Sequence, residues 1–129
     1  MSFLVVQPPK NEIEFGALGK ELVEAGRKLG MHLQAEGFLF SWIGGTRVVI
    51  ERDQSGEIVS MALVSLGKRW THNDTTATVL LMEGNREPML EFIKQISAAL
   101  GATELFVQNP LPVQKLKHRE YTVIGYELQ

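Results

Sequence analysis

Asn109-Pro110-Leu111-Pro112-Val113-Gln114-Lys115-Leu116-Lys117-His118-Arg119-Glu120-Tyr121 is the stretch on which the fold assignment turns. Asparagine is a good helix N-cap, and proline is favoured in a first helical turn. The segment therefore predicts a short helix after Asn109, ending near Arg119. Tyr121-Thr122-Val123-Ile124 opens a β-branched and aromatic run that predicts a last strand through Leu128. On the other side, Glu104 to Val107 predicts a short strand, preceded by the helix stop Gly101.

Further out, Met89, Phe92, Ile93, Ile96 and Leu100 recur at helical spacing, with Pro88 in the first turn. Thr75 to Met82 is apolar almost throughout, which suits a strand covered on both faces. Gly67 to Asp74 is expected as a polar loop. Thr46 to Arg52 and Glu57 to Leu66 flank the turn signal Asp53-Gln54-Ser55-Gly56, so they predict an antiparallel hairpin. Phe38, Phe40, Trp42 and Ile43 are expected as a strand or a buried loop, and Met31 to Glu36 as a short helix. Asn11 can cap an amphipathic helix whose apolar face is Phe15, Leu18, Leu22, Ala25 and Leu29. Gly16, Gly19 and Gly26 each cost that helix about 1 kcal/mol against alanine, so it depends on packing. Phe3 to Val6 is a first strand, stopped by Pro8-Pro9.

The resulting order is β-α-(α)-β-β-β-α-β-α-β, a single α/β (α+β) domain over residues 1–129 with a mixed sheet flanked by helices. A chain of 129 residues suits one domain. With 44% hydrophobic and 22% charged residues it has the composition of a folded globular protein. The net charge of −2 lacks the basic excess of a freestanding nucleic-acid binder, so nucleic acid is not an expected partner. The absence of cysteine removes disulfides, thiolate metal sites and cysteine nucleophiles. His32, His72 and His118 form no metal-ligand spacing, so no metal is expected. Met1 to Gln7 is too short for a signal-peptide core or a membrane span. A cytoplasmic protein is expected.

The element order and the C-terminal segment together resemble the GNAT (GCN5-related N-acetyltransferase) family. Members often carry Asn-Pro-x-Ala-x-x-Leu-Tyr-Glu-Lys-x-Gly-Phe after the fifth strand, and Asn109 to Tyr121 keeps that register over thirteen residues. Leu100 to Val107 is similar to the family's preceding helix end and strand. The similar stretch runs from about Thr46 to Leu128. The resemblance implies a sheet splayed at its fourth strand, acetyl-CoA as cofactor and an amine as acyl acceptor. It implies that Val79, Leu80 and Leu81 supply backbone contacts to the pantetheine arm. It places Gly84, Asn85 and Arg86 in the pyrophosphate loop, where backbone N–H groups at a helix N-terminus hold the anion, and Asn109 beside the cofactor.

The loop departs from the family form, Gln/Arg-x-x-Gly-x-Gly/Ala. Leu81 replaces the Gln or Arg, and Arg86 stands where the second small residue belongs. Glu83 and Glu87 add negative charge beside it, and Arg86 is able to pair with phosphate. The plain alternative is a strand-to-helix turn made by Gly84-Asn85. Leu116 takes the place of the family's tyrosine acid and cannot donate a proton. Tyr121 and His72 are the remaining candidates for acid and base. Glu51 and Glu57 lie near the hairpin turn and are expected to be solvated.

Two functions are therefore carried forward. One is a GNAT-like acyl-CoA N-acyltransferase with a degenerate cofactor loop. The other is an inert GNAT-fold protein working by protein-protein contacts, similar to the small degenerate members carried by bacteriophages as virion or accessory proteins. Lys68-Arg69-Trp70-Thr71-His72 and Lys115 to Arg119 are basic runs expected to be solvated. Any exposed part of the Phe38 to Ile43 cluster would mark a partner surface or a homo-oligomer interface.

Overall fold

The computed structural model describes residues 2–69, 74–111 and 120–128. Six strands form one sheet in chain order: β1 (Phe3–Val6), β2 (Arg47–Arg52), β3 (Ile58–Arg69), β4 (Asp74–Glu83), β5 (Ala102–Leu111) and β6 (Glu120–Glu127). Neighbours are antiparallel except β4 and β5, which run parallel because helix α3 (Arg86–Ala99) carries the chain back between them. Helices α1 (Glu12–Lys28) and α2 (Ala35–Ile43) lie between β1 and β2 in sequence.

The sheet has a core on each face. Val48, Ile50, Met61 and Leu63 pack with Leu22, Val23, Phe38 and Trp42 of α1 and α2. Val49, Ala62, Val64, Ala77, Val79 and Leu105 pack with Met89 and Ile93 of α3. The apolar continuity of β2 and β4 in the sequence follows from this two-sided cover.

Local chemistry explains the element ends. Asn11 Oδ1 accepts from the Ile13 and Glu14 N–H groups at 2.9 and 3.2 Å, capping α1. Glu12 and Glu14 in the first turn and Arg27 and Lys28 in the last suit the helix dipole. Asp53 Oδ1 accepts from the Ser55 and Glu57 N–H groups and from Ser55 Oγ, closing the β2–β3 turn. These donors, together with the Gly56 N–H, hold the Asp53 carboxyl below the usual carboxylate range, the Ser55 hydroxyl contributing most. Gly19 and Gly26, costly for α1 alone, lie directly beneath Leu39 and Leu33, where a Cβ would collide. Close packing is what they provide.

Four expectations need correction. Phe38 to Ile43 is helix, not strand or loop, and the helix begins at Ala35 rather than Met31. The 38, 40, 42 spacing of aromatics mimics a strand, but only Phe38 and Trp42, four residues apart, are buried, while Phe40 is 80% exposed. Lys68 and Arg69, expected in a loop from Gly67, continue β3; Trp70, Thr71 and His72 lie outside the described residues. Asn109 and Pro110 do not start a helix. They continue β5, which runs to Leu111 opposite Glu120 of β6. Residues 112–119 of that expected helix lie outside the described residues.

Candidate cofactor site

The β4–β5 ladder runs from Thr75↔Ala102 to Val79↔Val107 and ends there. Both chains continue as strands, Leu80 to Glu83 and Gln108 to Leu111, without pairing to each other. The sheet therefore opens between two parallel strands. The opening coincides with a bulge: Leu63 pairs with Leu81 and Val64 with Val79, so Leu80 has no partner on β3. Leu80 and Leu81 consequently both pack against the α1/α2 core, although neighbours in a regular strand face opposite ways. Backbone groups of β4 beyond Val79 that face β5 are not used by the ladder.

Gly84 and Asn85 connect β4 to α3. Gly84 has φ +107°, and a Cβ there would lie 2.6 Å from Ser60 Cα and 2.6 Å from the Val59 carbonyl oxygen. Only glycine suits both the conformation and the approach to β3. Asn85 is the N-cap of α3, yet its side chain makes no capping bond. Its N–H donates to Ser60 Oγ at 2.9 Å, and its side-chain Nδ2 donates to Glu51 Oε1 at 2.8 Å. Ser60 Oγ in turn donates to the same Glu51 oxygen at 2.8 Å. Pro88 has no N–H, so the N–H donors of the first turn of α3 are those of Arg86 and Glu87, and no side chain among the described residues caps them. Arg86 is exposed, and its Nη2 donates to the Met82 carbonyl oxygen at 3.1 Å, which folds the guanidinium over the end of β4.

The candidate residues thus fall into two groups. Val79, Leu80 and Leu81 stand where the sheet opens, and Gly84, Asn85 and Arg86 form the short connection at its end. Asn109 lies on β5 beyond the last β4 pairing, opposite Thr122 of β6. Tyr121 lies on β6 opposite Pro110. His72 lies outside the described residues.

Glu51 was not among the candidates, and the expectation that it is solvated does not hold: it is 3% exposed, and Ser60 beside it is fully buried. Strand alternation carried the signal. Val48 and Ile50 face one core and Val49 the other, so position 51 follows Val49 beneath α3 in a strand covered on both sides. Glu57, by contrast, is exposed at the turn.

A mixed sheet that opens beyond a bulge between parallel fourth and fifth strands, with a helix N-terminus at the end of the opening, defines the GNAT acetyltransferase fold. Comparison with solved structures agrees. A GNAT family acetyltransferase of Staphylococcus aureus superposes with a TM-score of 0.63 at 12% identity, over 92% of this chain and 94% of its own. Arabidopsis thaliana NAA60 in complex with acetyl-CoA superposes with a TM-score of 0.66 at 9% identity, over 98% and 97%. An aminoglycoside acetyltransferase from an uncultured soil metagenomic sample gives 0.57 at 19% identity, over 88% and 84%. No protein-family model matches the chain. No curated protein matches it in sequence. The chain has the GNAT fold, and the similarity lies in its three-dimensional arrangement.

Proposed function

We propose that this protein is a GNAT-type acyl-CoA N-acyltransferase, binding acetyl-CoA along the open edge of β4 and transferring its acyl group to an amine. The observation that carries the reading is the opening beyond Val79 and Val107, which ends at the uncapped first turn of α3. The residues present fit the cofactor's chemistry. Main-chain groups of β4 that lie beyond the β5 ladder suit an amide-bearing pantetheine arm. The N–H groups of Arg86 and Glu87, with the Arg86 guanidinium, suit a pyrophosphate. When bound, the cofactor supplies an activated thioester. The chain's part is to hold it, to polarise the carbonyl with a β4 backbone N–H, and to move protons. Tyr121 and His72 are assigned as the candidate proton carriers.

Calorimetric titration with acetyl-CoA tests this reading. Micromolar binding that is lost on Arg86→Glu is the expected result. No binding at millimolar ligand would sink it.

A second reading is favoured by one observation: Phe40 and Ile43 on α2 are 80% and 65% exposed. They give a GNAT-fold protein without catalysis a surface for protein-protein contacts. Absence of acetyl-CoA binding together with self-association that is lost on Phe40→Ser would select it.

A further inference from the structure

The two N-cap asparagines behave differently. Asn11 turns its side chain onto its own helix and satisfies the first turn of α1. Asn85 turns its side chain away from α3 and gives it to Glu51. An asparagine in an N-cap position ordinarily accepts from the N–H two or three residues on. Position 88 is proline, so the donor open to Asn85 is Glu87 N–H. Glu51, 3% exposed, draws the Asn85 amide away from it, one carboxyl oxygen accepting from both Ser60 and Asn85. Leaving that carboxylate buried without these donors would be costly, so the arrangement is held firmly.

Resting on the proposed cofactor role, we infer that Glu51 is a positioning residue for the phosphate loop: it diverts Asn85 inward and so keeps the first turn of α3 open to the anionic end of coenzyme A. Glu51 acts through Asn85 and does not touch the ligand. Without Glu51, the Asn85 side chain loses the bond that draws it inward, and its oxygen competes with the phosphates for Glu87 N–H.

The test compares coenzyme A with pantetheine, which lacks the phosphates, by titration followed in NMR spectra. Glu51→Ala is expected to weaken coenzyme A at least tenfold and pantetheine less than twofold. Glu51→Gln keeps an acceptor oxygen for Asn85 and is expected to stay within about threefold of the natural protein for both. In an Asn85→Ala background, adding Glu51→Ala is expected to change coenzyme A binding less than about twofold, because there is no cap left to divert. Equal weakening of both ligands by Glu51→Ala, an unchanged coenzyme A affinity, or full additivity of the two substitutions would each overturn the inference. If Glu51→Ala does not fold, hydrogen exchange in the natural protein decides. The Glu87 amide is expected to exchange fast when free and slowly with coenzyme A bound, and protection in the free protein would overturn the inference. If the natural protein binds no coenzyme A, the proposed function fails and this inference with it. Binding that is indifferent to Glu51 fails the inference alone.

Discussion

The indole N–H of Trp42 donates to the Val6 carbonyl oxygen at 3.0 Å, joining α2 to the edge strand β1 across 36 positions of sequence. Trp42 is 1% exposed and stacks on Phe15 and Phe38, with ring centroids 5.3 and 5.9 Å away. This one side chain ties both N-terminal helices to the sheet. Trp42→Phe keeps most of the packing but leaves the Val6 carbonyl without its donor, at an expected cost of about 1–3 kcal/mol. Trp42→Ala is expected to cost about 3–5 kcal/mol. Urea unfolding of the three proteins checks the ranking.

Gly84 and Gly56 make a controlled comparison. Both have positive φ, +107° and +89°, but a Cβ at Gly56 meets nothing within 4 Å, whereas at Gly84 it meets the β3 backbone. Alanine at either position pays roughly 1–3 kcal/mol of backbone strain. Only Gly84→Ala must also push the loop off Ser60. Gly84→Ala is therefore expected to be the more destabilising and to weaken acetyl-CoA binding at least tenfold, while Gly56→Ala leaves binding unchanged. Denaturant unfolding and titration calorimetry read the two effects separately.

Arg52 makes a bidentate contact with Glu21, Nη2 to Oε1 at 2.8 Å and Nη1 to Oε2 at 3.0 Å, linking β2 to α1. The hydrogen bonds from Arg52 hold the Glu21 carboxyl below the usual glutamate range. A carboxyl lowered in the folded state adds stability above its unfolded pKa, and that stability is lost as the pH falls through the folded value. The side chains are 34% and 47% exposed, so solvent limits the pair to at most about 1 kcal/mol. Stability of the natural protein is expected to fall slightly more than that of Glu21→Gln between neutral pH and pH values below the ordinary glutamate range. Thermal melts across that range, at low and high salt, check the sign.

Arg86 is the cation beside the open helix end, with Glu83 and Glu87 flanking it in sequence. Charge-assisted bonds to phosphate contribute about 1.5–3 kcal/mol. Arg86→Ala is accordingly expected to weaken acetyl-CoA about tenfold or more, and Glu87→Gln to strengthen it modestly. Both effects should shrink as ionic strength rises, because the Arg86 side chain is exposed.

How much was legible before folding varies by residue. Asn11, the Asp53-to-Gly56 turn and the Met89/Ile93 face were readable because caps, turns and helical periods are decided within a few neighbours. The 38–43 stretch is ambiguous in sequence because its aromatic spacing satisfies two periods, and burial against α1 and β1 selects the helical one. Asn109 signalled the fold through its register with a familiar segment, yet it stands inside β5, where pairing with Thr122 outweighs its capping preference.

The sequence by itself determined the two-sided strand β4, the amphipathic helices α1 and α3, the hairpin turn and the strand order that makes a mixed sheet. Tertiary structure alone decided the geometry of the candidate site. The parting of β4 from β5, the unpaired Leu80 and the diversion of Asn85 by Glu51 all depend on ladder register and on contacts such as the 34-residue separation of that last pair. No local preference encodes such contacts. They exist only once distant strands have been laid side by side and the groups left between them must find partners.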